Sequence, residues 1–403
     1  MRVLLLLLLP LTLAGAAEPD IACQGDSSTV YGKLKTVDAN ATKRTKALYA
    51  NLRKISSRHI LFGHQDALAY GVMWREWHKK KSDVRDVCGH YPAVFGWDLG
   101  KLGKGEVNID TVAFNSMKSW ILEAYKMGGV NTISWHLDNF VTNGSSWDVG
   151  ENVVSAILPG GAQHEAYKAR LDLLAGFFKS LRKGFLFKHD IPIIFRPFHE
   201  HTGNWFWWGQ PYCTAEEYKE LWRFTVKYLR DEKEVHNVLY CYSTDVFKDK
   251  EHYLLCYPGD EYVDILGFDD YQDVQPENDP SELTRQLRLL VNMAEERGKV
   301  AALTETGLES IPEEKWWTER LLQPVKADPV ASRIAWVLVW RNARPGHHYA
   351  PYPGHASIPD FMEFCKDPLI LMEGELPKVY KWNRREFRQG EFSAERKALK
   401  VKP

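Results

Sequence analysis

Residues 191–209 read IPIIFRPFHEHTGNWFWWG. The first half is an almost unbroken run of β-branched and aromatic residues, the composition of a strand covered on both faces rather than one. It ends on His199 and Glu200, and Trp205, Phe206, Trp207 and Trp208 come soon after. A core has no use for Glu200, and a surface has little use for so much indole. Four large rings in a row cannot all face inward from one short loop, so at least one is expected to face a cavity.

Seven more runs of the same kind recur: HILFG from 59, AVFGWD from 93, VNTISWH from 130, NVLYCYS from 237, VDILGFD from 263, KVAALTE from 299 and IAWVLVW from 334. Between them the apolar residues change to helical spacing, as at Met117, Trp120, Ile121 and Ala124, then at Leu171, Leu174, Ala175, Phe178 and Leu181. Residues 215–231 and 280–297 also read as helices. Eight strands alternating with helices, without a composition break or internal repeat, predict an α/β fold: one (β/α)8 TIM barrel over residues 18–403. The long stretches 137–163 and 341–357 come after the third and eighth strands, on the face where such barrels build their sites.

The opening MRVLLLLLLPLTLAGAA has a positive end, an apolar run and small residues near Ala14 and Ala16, the layout of a cleaved secretory signal over residues 1–17. An exported, extracellular chain is therefore expected, with no membrane span after the signal is removed. The 52 basic and 53 acidic residues leave a net charge of -1, so no global field recruits nucleic acid or an anionic membrane. All six cysteines lie beyond the signal, in a compartment where disulfides persist. Cys241 with Cys256, and Cys23 with Cys365, are the candidate pairs. Asn40 in NAT and Asn143 in NGS are glycosylation acceptors if the host uses them.

In a (β/α)8 barrel the C-terminal strand ends open on the active site. Here they carry His64, Asp98, His136, His199 with Glu200, Ser243 with Asp245, Asp269 with Tyr271, Glu305, and Trp340 with Arg341. Glu200 and Glu305 stand 105 residues apart, after the fourth and seventh strands. Two carboxyl groups across a cavity are the minimum equipment for glycosidic cleavage: one protonates the departing oxygen, the other attacks the anomeric carbon. Glu200 is assigned as acid/base, because the indoles beginning at Trp205 desolvate it; Glu305 is then the nucleophile. A gap of about 5–5.5 Å between the two carboxyl groups is expected for a retaining pair. Arg341 is expected to hold Glu305 ionised or to bind sugar hydroxyls, His199 to orient a carboxylate, and the Tyr271 hydroxyl to donate to Glu305. Trp205 is the nearest sugar platform, with Trp147 further along the cleft.

Asp98, Asp269 and Asp270 are rival carboxylates, read as supporting bonds or turn caps. His64 and His136 read equally as sugar contacts or buried histidines. The HEH triplet lacks the i, i+4 spacing of helix-borne zinc ligands, so no metal is assigned. LGKLGKGEV at 99–107 lacks the ending of a phosphate loop and reads as a turn.

The segment RPFHEHTGNWFWWG at 196–209 resembles the hallmark of glycoside hydrolase family 26. FGHQ at 62–65, SWH at 134–136, GFDDYQ at 267–272, TETG at 304–307 and VWRN at 339–342 match in order, over about residues 45–365. The resemblance implies a retaining barrel glycosidase needing no cofactor, with Glu200 as acid/base and Glu305 as nucleophile. His199 and Tyr271 support them, while Trp205, His136, Trp340 and Arg341 line the subsite of the reacting sugar. It implies endo-hydrolysis of β-1,4-mannan, glucomannan or galactomannan; a monomer is expected. A mannobiose-releasing exo-enzyme and a β-glucanase or xylanase on the same scaffold are alternatives, and a sugar-binding protein that has lost catalysis is the alternative of another class.

Overall fold

A computed structural model describes residues 35–75, 80–184 and 188–381. The signal segment and Cys23 lie outside them. Eight strands close on themselves: β1 (Ile60–Gln65), β2 (Val94–Asp98), β3 (Val130–Trp135), β4 (Ile193–Pro197), β5 (Val238–Thr244), β6 (Ile265–Asp270), β7 (Val300–Thr306) and β8 (Trp336–Val339). Each pairs in parallel with the next, and β8 returns to β1 through Leu61–Trp336 to His64–Val339, so the sheet has no open seam between its first and last barrel strands. A two-residue strand, β9 (Ile370–Leu371), also pairs with β1. The barrel is the (β/α)8 architecture that the alternation of runs predicts.

Helices cover the outside, at Asp83–Cys88, Phe114–Met127, His164–Ser180, Ala215–Lys227, Ser281–Glu296 and Ile358–Lys366 among others. The Ala215–Lys227 helix starts on a capping box, Thr214 with Glu217, and runs on as a π turn through Tyr228–Glu232. Its reciprocal cap satisfies two of the donors that a helix start leaves orphaned. The stretch after β3 carries its own short helix, Val153–Ile157, whereas the stretch after β8 stays irregular until Ile358.

Strand side chains alternate between two apolar clusters, as a period of two requires. Phe62, Phe95, Ile133, Phe195, Tyr240, Phe268 and Leu303 face the helices. Leu61, Val94, Ile194, Leu239, Cys241, Ile265, Val300 and Leu338 fill the interior, which Leu48, Leu52 and Ile55 of the N-terminal helix Lys43–Ser56 join from below. Toward the C-terminal ends the inward positions turn polar: Ile194 gives way to Arg196, Cys241 to Ser243, and Ala302 to Thr304. The barrel thus has an apolar floor and a charged upper layer.

Alternation also corrects one cysteine pairing. Cys241 belongs to the interior cluster and Cys256 to the outer one, and both are free thiols. A strand cannot point the same residue to both faces, so the closeness of the two in sequence does not bring their sulfurs together. Cys365 is also a free, buried thiol. Asn40 and Asn143 are both exposed.

Candidate active site

Glu200 and Glu305 rise at the same mouth. The nearest carboxylate oxygens of Glu200, Asp269 and Glu305 all lie within 4.8 Å of one another. Glu305 reaches this point through an irregularity in β7. Phe268 pairs with Leu303 but Asp269 pairs with Glu305, so Thr304 is an extra residue on the β7 side. Without it, Thr304 and Glu305 would face opposite sides of the sheet; a bulge bends the strand and re-aims the next side chain. Thr304 bonds inward, its Oγ1 donating to Asp269 Oδ1 at 2.7 Å, and Glu305 still opens on the same cavity.

Arg196, on β4, gathers these carboxylates. One guanidinium nitrogen donates to Asp269 Oδ2 at 2.7 Å and the other donates to Glu305 Oε1. All three side chains are buried. The Tyr271 hydroxyl donates to the other Glu305 oxygen, Oε2, at 3.0 Å. A carboxylate accepting from a guanidinium and a phenol is held as the anion. Tyr271 itself is kept a neutral donor, because burial and then the Glu200 carboxyl push its hydroxyl well above the usual phenol range.

Glu200 is treated differently. Its backbone takes a left-handed φ of 55°, and its N–H donates to Ser243 O at 3.1 Å, which aims the side chain off the strand end. A non-glycine residue held there is costly and persists only where its surroundings impose it. The Trp205 indole N–H donates to Glu200 Oε2 at 2.6 Å. Gly203 makes that possible, since a Cβ there would run into the Trp205 ring. Burial, with Asp269 and Asp245 adding to it, pushes the Glu200 carboxyl well above the ordinary range, against the pull of Arg196 and the Trp205 bond. The two carboxyls thus stand in contrasting settings, one desolvated against its charged form and the other accepting from a guanidinium and a phenol.

The rest of the aromatic run packs behind. Phe206, Trp207 and Trp208 are buried, with Trp207 donating to Leu137 O and Trp208 to His199 O, each at 2.8 Å. Trp205 is the half-buried one. Across the cleft His136 stacks against the exposed Trp147, ring centroids 5.0 Å apart, and stands edge-on to Trp340 at 6.3 Å. Its Nδ1 lies 2.7 Å from Asp98 Oδ2. Burial pushes Asp98 up, but His136, Gly100 N–H and the Ser134 hydroxyl together hold its carboxyl below the usual range.

A match to the profile described as glycosyl hydrolase family 26 spans residues 37–316. The chain belongs to glycosyl hydrolase family 26. Among solved structures, a family 26 β-mannanase from Bacteroides ovatus is 43% identical with a TM-score of 0.80, covering 85% of this chain and 98% of that one. A modular endo-β-1,4-mannanase from Cellulomonas fimi is 38% identical with a TM-score of 0.80, covering 87% of this chain and 80% of that one. A mannan endo-1,4-beta-mannosidase of Bifidobacterium adolescentis is 34% identical over 88% of this chain. The match spans 37% of the length of that relative.

Within this family 26 barrel, two residues depart from their expected surroundings, and His64 takes the buried one of its two readings. Arg341 does not contact Glu305; its Nε pairs with Asp110 Oδ1 at 3.0 Å and a terminal nitrogen reaches the Tyr70 hydroxyl at 3.4 Å. Arg196 has the place beside Glu305 instead. Inward alternation from Ile194 was the signal for it, since an arginine facing a barrel interior must be paired. His199 bonds neither glutamate; its ring packs edge-on against His136 at 4.7 Å and Phe206 at 5.2 Å. His64 is buried on the face of β1 that carries Phe62, toward Asp83 rather than the cleft, and burial brings its imidazole down to about 4. Asp270 caps a turn, accepting from Asp273 N at 2.8 Å and Gln272 N at 3.1 Å.

Proposed function

We propose that this family 26 hydrolase cleaves internal β-1,4-mannosidic bonds of mannan, glucomannan or galactomannan with net retention, as an exported monomer. The observation that carries the mechanism is the separation of Glu200 and Glu305, whose nearest oxygens lie within 4.8 Å. Carboxyl groups about 5–5.5 Å apart suit direct attack, whereas an inverting pair leaves about 6.5–9.5 Å for a water between acid and base. Family membership and the mannanase activity named for the Bacteroides, Cellulomonas and Bifidobacterium relatives support the substrate. The secretory layout of residues 1–17 supports export.

In this reading Glu305 attacks the anomeric carbon, with Arg196 and Tyr271 holding its oxygens in line. Glu200, kept protonated by its surroundings, gives its proton to the leaving glycosidic oxygen. A covalent glycosyl-enzyme forms on Glu305. Glu200, now ionised, then takes a proton from the water that attacks the same carbon from the vacated side and regenerates both groups. Trp205, Trp147 and Trp340 offer flat faces to the C–H faces of the pyranose rings, and His136 lies between the latter two. The test is the product pattern on β-mannan, mixed-linkage glucan and xylan. Short manno-oligosaccharides of several lengths are expected from mannan. Cleavage confined to glucan or xylan, or release of mannobiose alone, would move the chain to one of the other specificities.

A further inference from the structure

The loop after β8 places one more aromatic residue behind the reacting carboxylate. The Tyr349 ring stands edge-on to Tyr271, centroids 6.0 Å apart at 75°. It also lies over the backbone just after Glu305. Gly307 has a φ of 141°, and a Cβ on it would meet Tyr349 Cδ1 at 2.6 Å. Tyr349 therefore touches both the donor to the nucleophile and the chain that carries the nucleophile.

Its own position is tied down from two sides. Tyr349 N and Ala350 N both donate to Asn342 Oδ1 at 2.9 Å, and the buried Asn342 donates in turn to Asp83 Oδ2 at 2.9 Å. On the other side His347 stands edge-on to the Tyr349 ring at 5.4 Å, with its Nδ1 2.5 Å from Glu309 Oε1. Ser310 N donates to His348 O at 2.8 Å, joining the loop to the segment after β7. The Tyr349 hydroxyl makes no hydrogen bond among the described residues, so contact with the ring is what remains.

We infer that Tyr349 is a positioning residue: its ring is the wall that keeps the Tyr271 hydroxyl on Glu305, and Gly307 is small so that the ring can sit there. The inference rests on the reading of Glu305 as nucleophile. An aromatic ring fixed edge-on restricts its neighbour's rotation at little entropic cost, and a donor displaced by even about 1 Å from its carboxylate loses most of its effect on the reaction.

The test compares kcat, KM and Tm of the full chain with those of Tyr271→Phe, Tyr349→Phe, Tyr349→Ala and the Tyr271→Phe/Tyr349→Ala double variant on one manno-oligosaccharide, with Glu305→Ala as control. Tyr349→Phe is expected within about twofold of wild type, and Tyr349→Ala is expected to lose about 10- to 100-fold in kcat with KM little changed. The double variant should be no worse than Tyr271→Phe alone by more than about threefold, because both act through one hydrogen bond. Tyr349→Leu replaces the alanine variant if the latter does not fold. Equal losses for Tyr349→Phe and Tyr349→Ala, a rise in KM with kcat preserved, or additive losses in the double variant would each overturn the inference. A wild type inert on manno-oligosaccharides, or an active Glu305→Ala, would instead overturn the reading beneath it, and the inference with it.

Discussion

Arg196 and Glu305 are bonded across the barrel, although 109 positions separate them and they leave from the non-adjacent strands β4 and β7. The same guanidinium holds Asp269, which accepts as well from the hydroxyls of Ser243 at 3.0 Å and Thr304 at 2.7 Å. Two buried carboxylates thus share one cation. Replacing Arg196 by Met keeps much of its volume but leaves both charges uncompensated. A stability loss of about 3–5 kcal/mol is expected, the cost of breaking a buried ion pair from one side. Thermal or urea unfolding of the variant measures it, and an unchanged midpoint would show that the carboxylates find other partners. Arg196→Lys retains charge but not the planar fork that reaches both acids, so it should restore part of the stability and little of the turnover.

The raised proton affinity of Glu200 makes a prediction about stability as well as catalysis. Between the ordinary carboxylate range and the raised value, the folded chain keeps a proton that the unfolded chain has released. The folded state therefore binds more protons in that window, and stability falls as pH rises through it. Glu200→Gln removes this dependence. The variant should melt higher than wild type, by a margin that widens from about pH 5 toward alkaline pH, while losing turnover of polysaccharide. Melting curves over that range decide the matter; a margin independent of pH would mean that Glu200 is charged in the folded chain.

Asp245 sets part of that affinity. It comes immediately after β5, its N–H donates to Thr202 Oγ1 at 3.0 Å, and burial pushes its own carboxyl up to about 7. Above that pH its negative charge adds to the charge of Asp269 in holding the proton on Glu200. Asp245→Asn removes that contribution, so Glu200 should release its proton at lower pH. The alkaline limb of kcat/KM on mannan is expected to shift to lower pH, with the acidic limb in place. Aryl mannosides whose leaving group needs no proton should show a smaller shift. A limb unmoved on mannan would show that Asp245 does not influence the proton on Glu200.

The sequence carried the barrel plainly, because parallel strands buried on both sides write themselves as continuous apolar runs and the helices between them as 3.6-residue spacing. All eight strands lie where runs such as VNTISWH and KVAALTE put them. Glu200 and Glu305 were legible as strand-end carboxylates, and the Trp205 indole as the neighbour of Glu200. What stayed hidden depends on register between strands. The irregularity beside Asp269 inserts Thr304 through pairing of β6 with β7, which no local pattern announces. Arg196 was passed over for Arg341 because both lie near the C-terminal end of a strand, yet only the inward side of β4 faces Glu305. The pairing of Cys241 with Cys256 was judged by distance along the chain, whereas the two occupy opposite sides of the sheet.

The central claim is that Glu305 becomes covalently bonded to the sugar while Glu200 supplies the proton. A 2-fluoro mannosyl donor with a reactive leaving group slows the second step, so the adduct accumulates and its position can be read by mass spectrometry of the digested chain. One glycosyl unit added per chain is expected, on the peptide carrying Glu305, and none on Glu305→Ala. A label on Asp269 or Glu200, or inactivation without any added mass, would contradict it.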